Sequence, residues 1–329
     1  MKRIAKSKLI EFLKSKGELW VKTREGFQQS DAEAFAGRAS KSVKNMVLPR
    51  EETLLVFFKP DGKNVDYDEI YDDRKRILFG LSPCDAKSIE LLDLTFIKTS
   101  PTDSYYKQRR ENSVLVVLAC NSPSKTCFCK SFGYGPFTEL GDVFLVDIGD
   151  VYLVKILSDK GKALLEGLEL EDAADAELAK LEELKSTAES KVQDIGIPKD
   201  IADRLYANFE SDFWEKIAFR CVNCGACTFY CPTCYCFDIQ DVERTNWGWR
   251  ERTWDSCMFA IYSLETSGHN PRPTGMHRMR NRIMHKFSYY EKIHGQHLCV
   301  GCGRCVDVCP TGFDIREVVK QAAKLEVTR

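Results

Sequence analysis

The 329-residue chain has no run of about 18 apolar residues, so it offers no segment that would cross a bilayer as a helix. An excess of charge of one sign is equally missing. With 48 basic and 49 acidic residues the net charge is -1, so no global field would recruit nucleic acid or an anionic lipid surface, and any partner must be recognised locally. The opening MKRIAKSKLIEFLKSKG is basic like the front of a secretory signal. Lys6, Lys8, Lys14 and Lys16 interrupt each apolar run before it reaches the length of a hydrophobic region, however, and the segment reads as an amphipathic helix. No G-x-G-x-x-G follows an apolar strand and no P-loop occurs, which leaves dinucleotide or nucleotide binding without a site. The haem attachment pattern C-x-x-C-H is absent, as are paired C-x-x-C motifs at opposite chain ends that would hold a nickel–iron centre. Catalysis with such groups is expected in another subunit.

Cysteine, by contrast, is abundant, with fifteen residues. A chain without an export signal is expected in the cytoplasm, where thiols stay reduced, so cysteines in this number point to ligands or redox groups and away from a disulfide framework.

The length allows about two domains. In the first half, ETLLVFF (52–58), RILFGL (76–81) and SVLVVLA (113–119) read as short buried strands, and VFLVDIGDVYLVKIL (143–157) reads as a hairpin turning near Gly149-Asp150. DAKSIELLDLTF, between the second and third strands, has helical spacing. Residues 171–196 are rich in Ala, Glu, Leu and Lys and predict an exposed helix whose charges form a solvated face. The expected class is α+β: an N-terminal α/β domain over 1–170, a helical linker over 171–200, and a mainly helical, cysteine-rich domain over 201–329.

Cys221, Cys224, Cys227 and Cys231-Pro232 form C-x2-C-x2-C-x3-C-P, and Cys299, Cys302, Cys305 and Cys309-Pro310 repeat it. Three cysteines two residues apart can wrap three corners of one [4Fe–4S] cube, with Gly225, Ala226, Gly301 and Gly303 letting backbone amides approach its sulfides. The fourth cysteine, sent away by its proline, serves the other cube. This crossing assigns Cys221, Cys224, Cys227 and Cys309 to a first cluster, and Cys299, Cys302, Cys305 and Cys231 to a second. Structural zinc, which also uses paired C-x2-C, has no use for the triple spacing followed by C-P.

Compact bacterial ferredoxins join their two motifs by a short strand-rich segment. Here 67 residues separate Cys231 from Cys299, and much of that insert reads as helical. A helical ferredoxin domain is expected, similar to the iron–sulfur subunits of succinate dehydrogenase and heterodisulfide reductase. The insert holds all five histidines, His269, His277, His285, His294 and His297, but their spacing repeats on no helical face. Its cations Arg278, Arg280, Arg282 and Lys286 suit a different task, which is to compensate an anionic cube or dock an acidic partner.

Cys84 and Cys120 each lie just past the end of an apolar strand, in RILFGLSPC and SVLVVLAC. Ligands of an open α/β sheet bind outside the carboxyl ends of its strands, and adjacent parallel strands would bring both thiols to one edge. Cys127 and Cys129 follow in the loop KTCFCK, so four cysteines converge, the ligand count of a third [4Fe–4S] cluster. Zinc and four unrelated thiols are the alternatives. Asp85 is expected to cap the following helix, with a ligand role as the other choice. Cys234, Cys236 and Cys257 receive no role from their spacing; buried packing and a redox pair or extra ligand set are both open.

LSPCDAKSIELLD (81–93), CNSPSKTCFC (120–129), CVNCGACTFYCPTCYCFDIQD (221–241), WDSCMF (254–259), GHNPRP (268–273), RMRNRIMHKFSYY (278–290) and CVGCGRCVDVCPTGFDI (299–315) together resemble the β subunits of cytoplasmic sulfhydrogenases and the iron–sulfur component of anaerobic sulfite reductase. The resemblance covers nearly the whole chain. It implies an electron-transfer subunit with several [4Fe–4S] clusters, linking a flavin- and NAD(P)-binding partner to a catalytic subunit of hydrogenase, sulfite-reductase or disulfide-reductase type. The competing functions are reduction of a disulfide or polysulfide by this chain at Cys84, Cys120, Cys127 and Cys129, and a purely structural metal there.

Overall fold

The computed structural model describes residues 1–29, 33–60 and 64–327. Twelve strands form among them: β1 (Lys2–Ala5), β2 (Glu18–Lys22), β3 (Phe27–Gln29), β4 (Glu51–Phe58), β5 (Asp66–Glu69), β6 (Arg76–Leu81), β7 (Ser113–Leu118), β8 (Val143–Asp147), β9 (Val151–Ile156), β10 (Glu171–Asp172), β11 (Phe237–Glu243) and β12 (Trp247–Trp254). Eight of them make one sheet in the order β10-β1-β9-β8-β7-β6-β2-β3, and four make a second, β11-β12-β4-β5. The fold class is α+β, with the large sheet in the N-terminal half and most helices toward the C-terminus.

The centre of the large sheet is parallel, β2, β6, β7 and β8 running the same way. Such strands are covered on both faces and so read as continuous apolar runs. Along β7, Leu115 and Val117 enter the core on one face while Val116 and Leu118 enter the other. In β6, Ile77 and Phe79 go to one face and Leu78 and Leu81 to the other, because a bulge at Gly80 shifts the register by one. Gly80 has φ +85°, and a Cβ there would stand 2.4 Å from the Ala34 Cβ, so both its conformation and its packing require glycine. The helix Pro83–Asp93 starts immediately after this bulge, with Pro at its first position, and its Ala86, Ile89 and Leu92 cover the sheet.

The expected hairpin is found as β8 and β9, and the expected exposed helix spans Asp175–Ser190 with only Ala188 buried. Two expectations change. ETLLVFF is not a buried strand of the large sheet: as β4 it pairs with β12, and only Leu54 along it is fully buried. The insert between the motifs is helical only in its second part, over Gly275–Met284, one π turn His285–Tyr289 and Tyr290–His294; its first part is the β11-β12 hairpin. N-terminal and C-terminal residues thus share the second sheet. Among the described residues no helix is long and apolar enough to cross a membrane.

Candidate iron–sulfur centres

The first motif begins in a loop after the helix Phe213–Ala218 and ends in the short turn Ala226–Phe229. Asn223 (φ +56°) and Gly225 (φ +75°) are both left-handed, which curls the loop so that Cys221, Cys224 and Cys227 face one cavity. Cys309, from the second motif, lines the same cavity, as the crossing requires. The Cys221 sulfur accepts from the Asn223 N–H at 3.4 Å, and the Cys309 sulfur from the Phe313 N–H at 3.1 Å. Cys224 is exposed, so this centre approaches the surface.

Cys231 is carried away from that cavity. It is buried, and its sulfur lies 3.3 Å from Lys286 Nζ and 3.2 Å from Thr233 Oγ1. Lys286 also donates to the carbonyl of Leu298 at 3.0 Å, immediately before Cys299. Burial would lower the pKa of Lys286, but Cys231, Cys234 and Cys299 beside it prevail and hold it well above the ordinary value. Burial pushes the Cys299 thiol up to about 12, and raises Cys305 further against the pull of Arg282. Cys305 also lines the first cavity and therefore stands in the wall between the two motif centres.

The parallel pairing of β6 and β7 brings Cys84 and Cys120 to one sheet edge, where they line a cavity with Cys127 and Cys129. Arg38 and Cys302 complete it, and neither was anticipated from sequence. By motif, Cys302 belongs with Cys299, Cys305 and Cys231; in the fold it sits on the wall shared with the N-terminal cavity. That wall is tight. The Phe128 N–H donates to the Gly301 carbonyl at 2.7 Å, and the Cys127 thiol lies 3.6 Å from the Cys302 carbonyl. A Cβ on Gly301 would meet the Cys129 N at 2.6 Å, and one on Gly303 the Thr126 O at 2.4 Å. The paired glycines of the second motif were the available signal, since their bareness admits a second loop.

Burial raises all four N-terminal thiols, Cys127 and Cys129 to about 12; Cys84 is raised further by Asp85, and Lys22 pulls Cys120 partly back. Lys22 is itself buried, donates to Ser82 Oγ at 3.1 Å and is lowered to about 8 by that burial. A cation held at such cost beside four thiols is placed to offset thiolate charge. Asp85 does not cap. It stands in the first turn of the Pro83–Asp93 helix, with no side-chain cap there, and pairs with Arg304.

Of the four cations singled out in the insert, two face the thiols. Arg278 donates to the carbonyls of Met258, Arg272 and Pro273, and Arg280 binds the Phe209 carbonyl and Glu210. Arg282 and Lys286, one helical turn apart, point inward. Arg282 is 2% exposed, yet none of its three guanidinium nitrogens has a hydrogen-bond partner, and its charged neighbours are Cys227, Cys305, Cys234 and Cys231. A buried guanidinium without an acceptor is too costly to stand alone. Anionic cubes on either side would supply both charge and sulfide acceptors, so the residues fit the group. Among the described residues no three His, Cys, Asp or Glu are spaced for one metal ion, whose thiolates stand about 3.8 Å apart; a cube spreads its ligands over separate corners. Of the histidines, His285 pairs with the Tyr235 hydroxyl at 3.1 Å, and His297 packs on Phe132 and Phe287.

The geometry defines an iron–sulfur protein, and the comparisons agree. Residues 220–313 match the family described as a 4Fe-4S dicluster domain, so [4Fe–4S] clusters are the chain's cofactors. The chain is 34% identical over 256 residues, 77% of its length and 75% of the relative's, to sulfhydrogenase 2 subunit beta of Pyrococcus furiosus. It belongs to the sulfhydrogenase β-subunit family. No solved structure matches.

Proposed function

We propose that the chain is an electron relay within a multi-subunit oxidoreductase, passing electrons between a flavin- and NAD(P)-binding partner and a catalytic subunit of hydrogenase, sulfite-reductase or disulfide-reductase type. Three [4Fe–4S] clusters are assigned: one on Cys221, Cys224, Cys227 and Cys309, one on Cys299, Cys302, Cys305 and Cys231, and one on Cys84, Cys120, Cys127 and Cys129. Each supplies one-electron redox chemistry whose potential depends on nearby charge and exposure. The observation that carries the reading is that the thiol sets share walls: Cys302 stands between the N-terminal and second sets, and Cys305 between the second and first. Tunnelling falls steeply with distance, so shared walls favour a continuous route from the sheet edge to exposed Cys224.

The residues around the sites serve that role. Arg282, Lys286, Lys22 and Arg38 bring positive charge to thiolates that burial alone would keep protonated. The other reading, disulfide or polysulfide reduction at the N-terminal cysteines, calls for an accessible thiol of low pKa. Cys120, Cys127 and Cys129 are buried, and all four thiols are shifted upward, which disfavours it. Metal analysis of anaerobically purified protein tests the assignment: about 12 iron per chain is expected, falling to about 8 in Cys120→Ser. A Cys120→Ser protein that keeps about 12 iron and every cluster signal would exclude the third centre. A flavoprotein and a metal-containing reductase or hydrogenase are expected to copurify.

A further inference from the structure

Lys44 opens the short helix Lys44–Val47 in the N-terminal half, where Val43, Met46 and Val47 join the core on one face of the large sheet. Its side chain leaves that core for the second half of the chain. There Nζ donates to the Cys234 carbonyl at 2.9 Å and to the Thr228 carbonyl at 3.4 Å. These carbonyls bracket Cys231, one three residues before it and the other three after. The same ammonium lies 3.7 Å from the centre of the Trp254 ring, whose Nε1 is fixed on the Leu48 carbonyl at 3.0 Å. Lys44 is 3% exposed, and among the described residues no carboxylate pairs with it.

We propose that Lys44 is the positioning residue of the crossing: it holds the turn that delivers Cys231 to Cys299, Cys302 and Cys305, and its charge sets the potential of the cluster on those four cysteines. The inference rests on the relay reading above. A segment that carries a ligand from one cavity to the next has to be held on both sides of that ligand, and one ammonium here joins the two sides. Lys286 meets the Cys231 sulfur itself at 3.3 Å. Main chain and sulfur of one segment are thus each held by a lysine, from opposite halves of the chain.

Two carbonyls and the face of a ring all offer electron density to the N–H bonds, which favours the charged form of the amine. A buried charge without a carboxylate is costly unless an anion lies close by. The anion that the fold brings to this place is the cube that receives Cys231. A positive charge beside a cube favours its reduced state, which carries one more negative charge.

The iron-loaded full chain is titrated anaerobically and read by paramagnetic resonance, the second-cluster signal being the one that Cys299→Ser removes together with about four iron. Lys44→Met is expected to keep about 12 iron and to raise the oxidised-to-reduced ratio of that cluster about ten-fold at the wild-type midpoint, a fall of about 59 mV for one electron. Lys44→Arg keeps the charge and can stack on the Trp254 ring, so it is expected to hold the wild-type ratio. A lysine with only a structural role would alter iron content or stability and leave the potential of the loaded cluster in place. The proposal is overturned if Lys44→Met holds the wild-type ratio, or if Lys44→Arg moves it as far as Lys44→Met does. Should Lys44→Met load only about 8 iron, recovery of both iron and potential in Lys44→Arg supports the proposal, and failure to recover overturns it. Retention of about 12 iron in Cys299→Ser would instead overturn the cluster assignment, so the two failures are distinguishable.

Discussion

Asp85 and Arg304 form an ion pair with both side chains fully buried: Nη2 donates to Oδ2 at 3.1 Å, and Nη1 stands 2.9 Å from Oδ1, off the hydrogen-bond line. Asp85 follows Cys84 and Arg304 lies between Cys302 and Cys305, so one pair ties the N-terminal cysteine cavity to the second motif. Arg304 Nε also donates to the Ala39 carbonyl at 2.9 Å, which adds a third segment. Burial opposes the guanidinium's charge, but Asp85 prevails and raises its pKa.

Removing one partner leaves the other charge buried and unpaired. Arg304→Met is expected to lower unfolding stability by about 3–5 kcal/mol, and the double substitution Asp85→Leu/Arg304→Met to recover most of that loss. Urea midpoints of the iron-loaded proteins check this. A double variant no better than the single would mean that Arg304 acts mainly on the cubes.

Arg282 makes the complementary electrostatic prediction. In a medium of effective dielectric near 20, one positive charge beside a cube shifts its one-electron potential by on the order of 100 mV. Arg282→Met is therefore expected to keep its iron and lower the potentials of the two motif clusters by roughly that amount, read by potentiometric titration with paramagnetic resonance. The N-terminal cluster, with Lys22 and Arg38 as its cations, is expected to move much less.

His285 supplies the pH dependence. Burial, then the charges of Lys286 and Arg272, lower it from 6.5 to about 4, so the fold favours the neutral ring that pairs with Tyr235. A depressed folded-state value means that this contribution is complete above pH 6.5 and is lost as pH falls through about 4. The loss reaches about 2 kcal/mol by pH 5. His285→Gln is expected to flatten that part of the profile, measured as urea midpoints at pH 7.5 and pH 5.

Much of the candidate site was legible because its cysteines are grouped locally. The C-x2-C-x2-C-x3-C-P pattern names its own cysteines, and Cys84 and Cys120 follow apolar runs whose parallel pairing is the common outcome for strand-helix-strand order. Contacts between segments remote in sequence were not legible. ETLLVFF has the composition of a buried strand, yet Arg252 of β12, 200 residues after Glu52, binds that carboxylate, and β4 pairs with β12 in the second sheet. Spacing likewise gave Arg278, Arg280, Arg282 and Lys286 equal standing, and packing alone separates the two that meet sulfur. Cys236, just before β11, and Cys257, just after β12, come to one end of a hairpin that the helical expectation lacked.

The contact between the KTCFCK loop and the second motif carries the most exacting prediction. Gly301 has φ +58°, where an L side chain is strained, and its missing Cβ leaves room for backbone at Phe128 C and Cys129 N, both 2.6 Å from where that carbon would be. Backbone cannot swing aside as a side chain can, so Gly301→Ala must push the two cysteine loops apart. Strain and lost packing are expected to cost about 3 kcal/mol or more, and both adjoining clusters to load poorly, leaving about 4 iron per chain on the Cys221 centre. Gly133→Ala is the control: its φ of +78° is comparable, but nothing lies within 4 Å of the added carbon. That variant should lose only about 1 kcal/mol and keep its iron. Equal iron in the two variants would show that left-handed backbone, and not the shared wall, sets the requirement for glycine at 301.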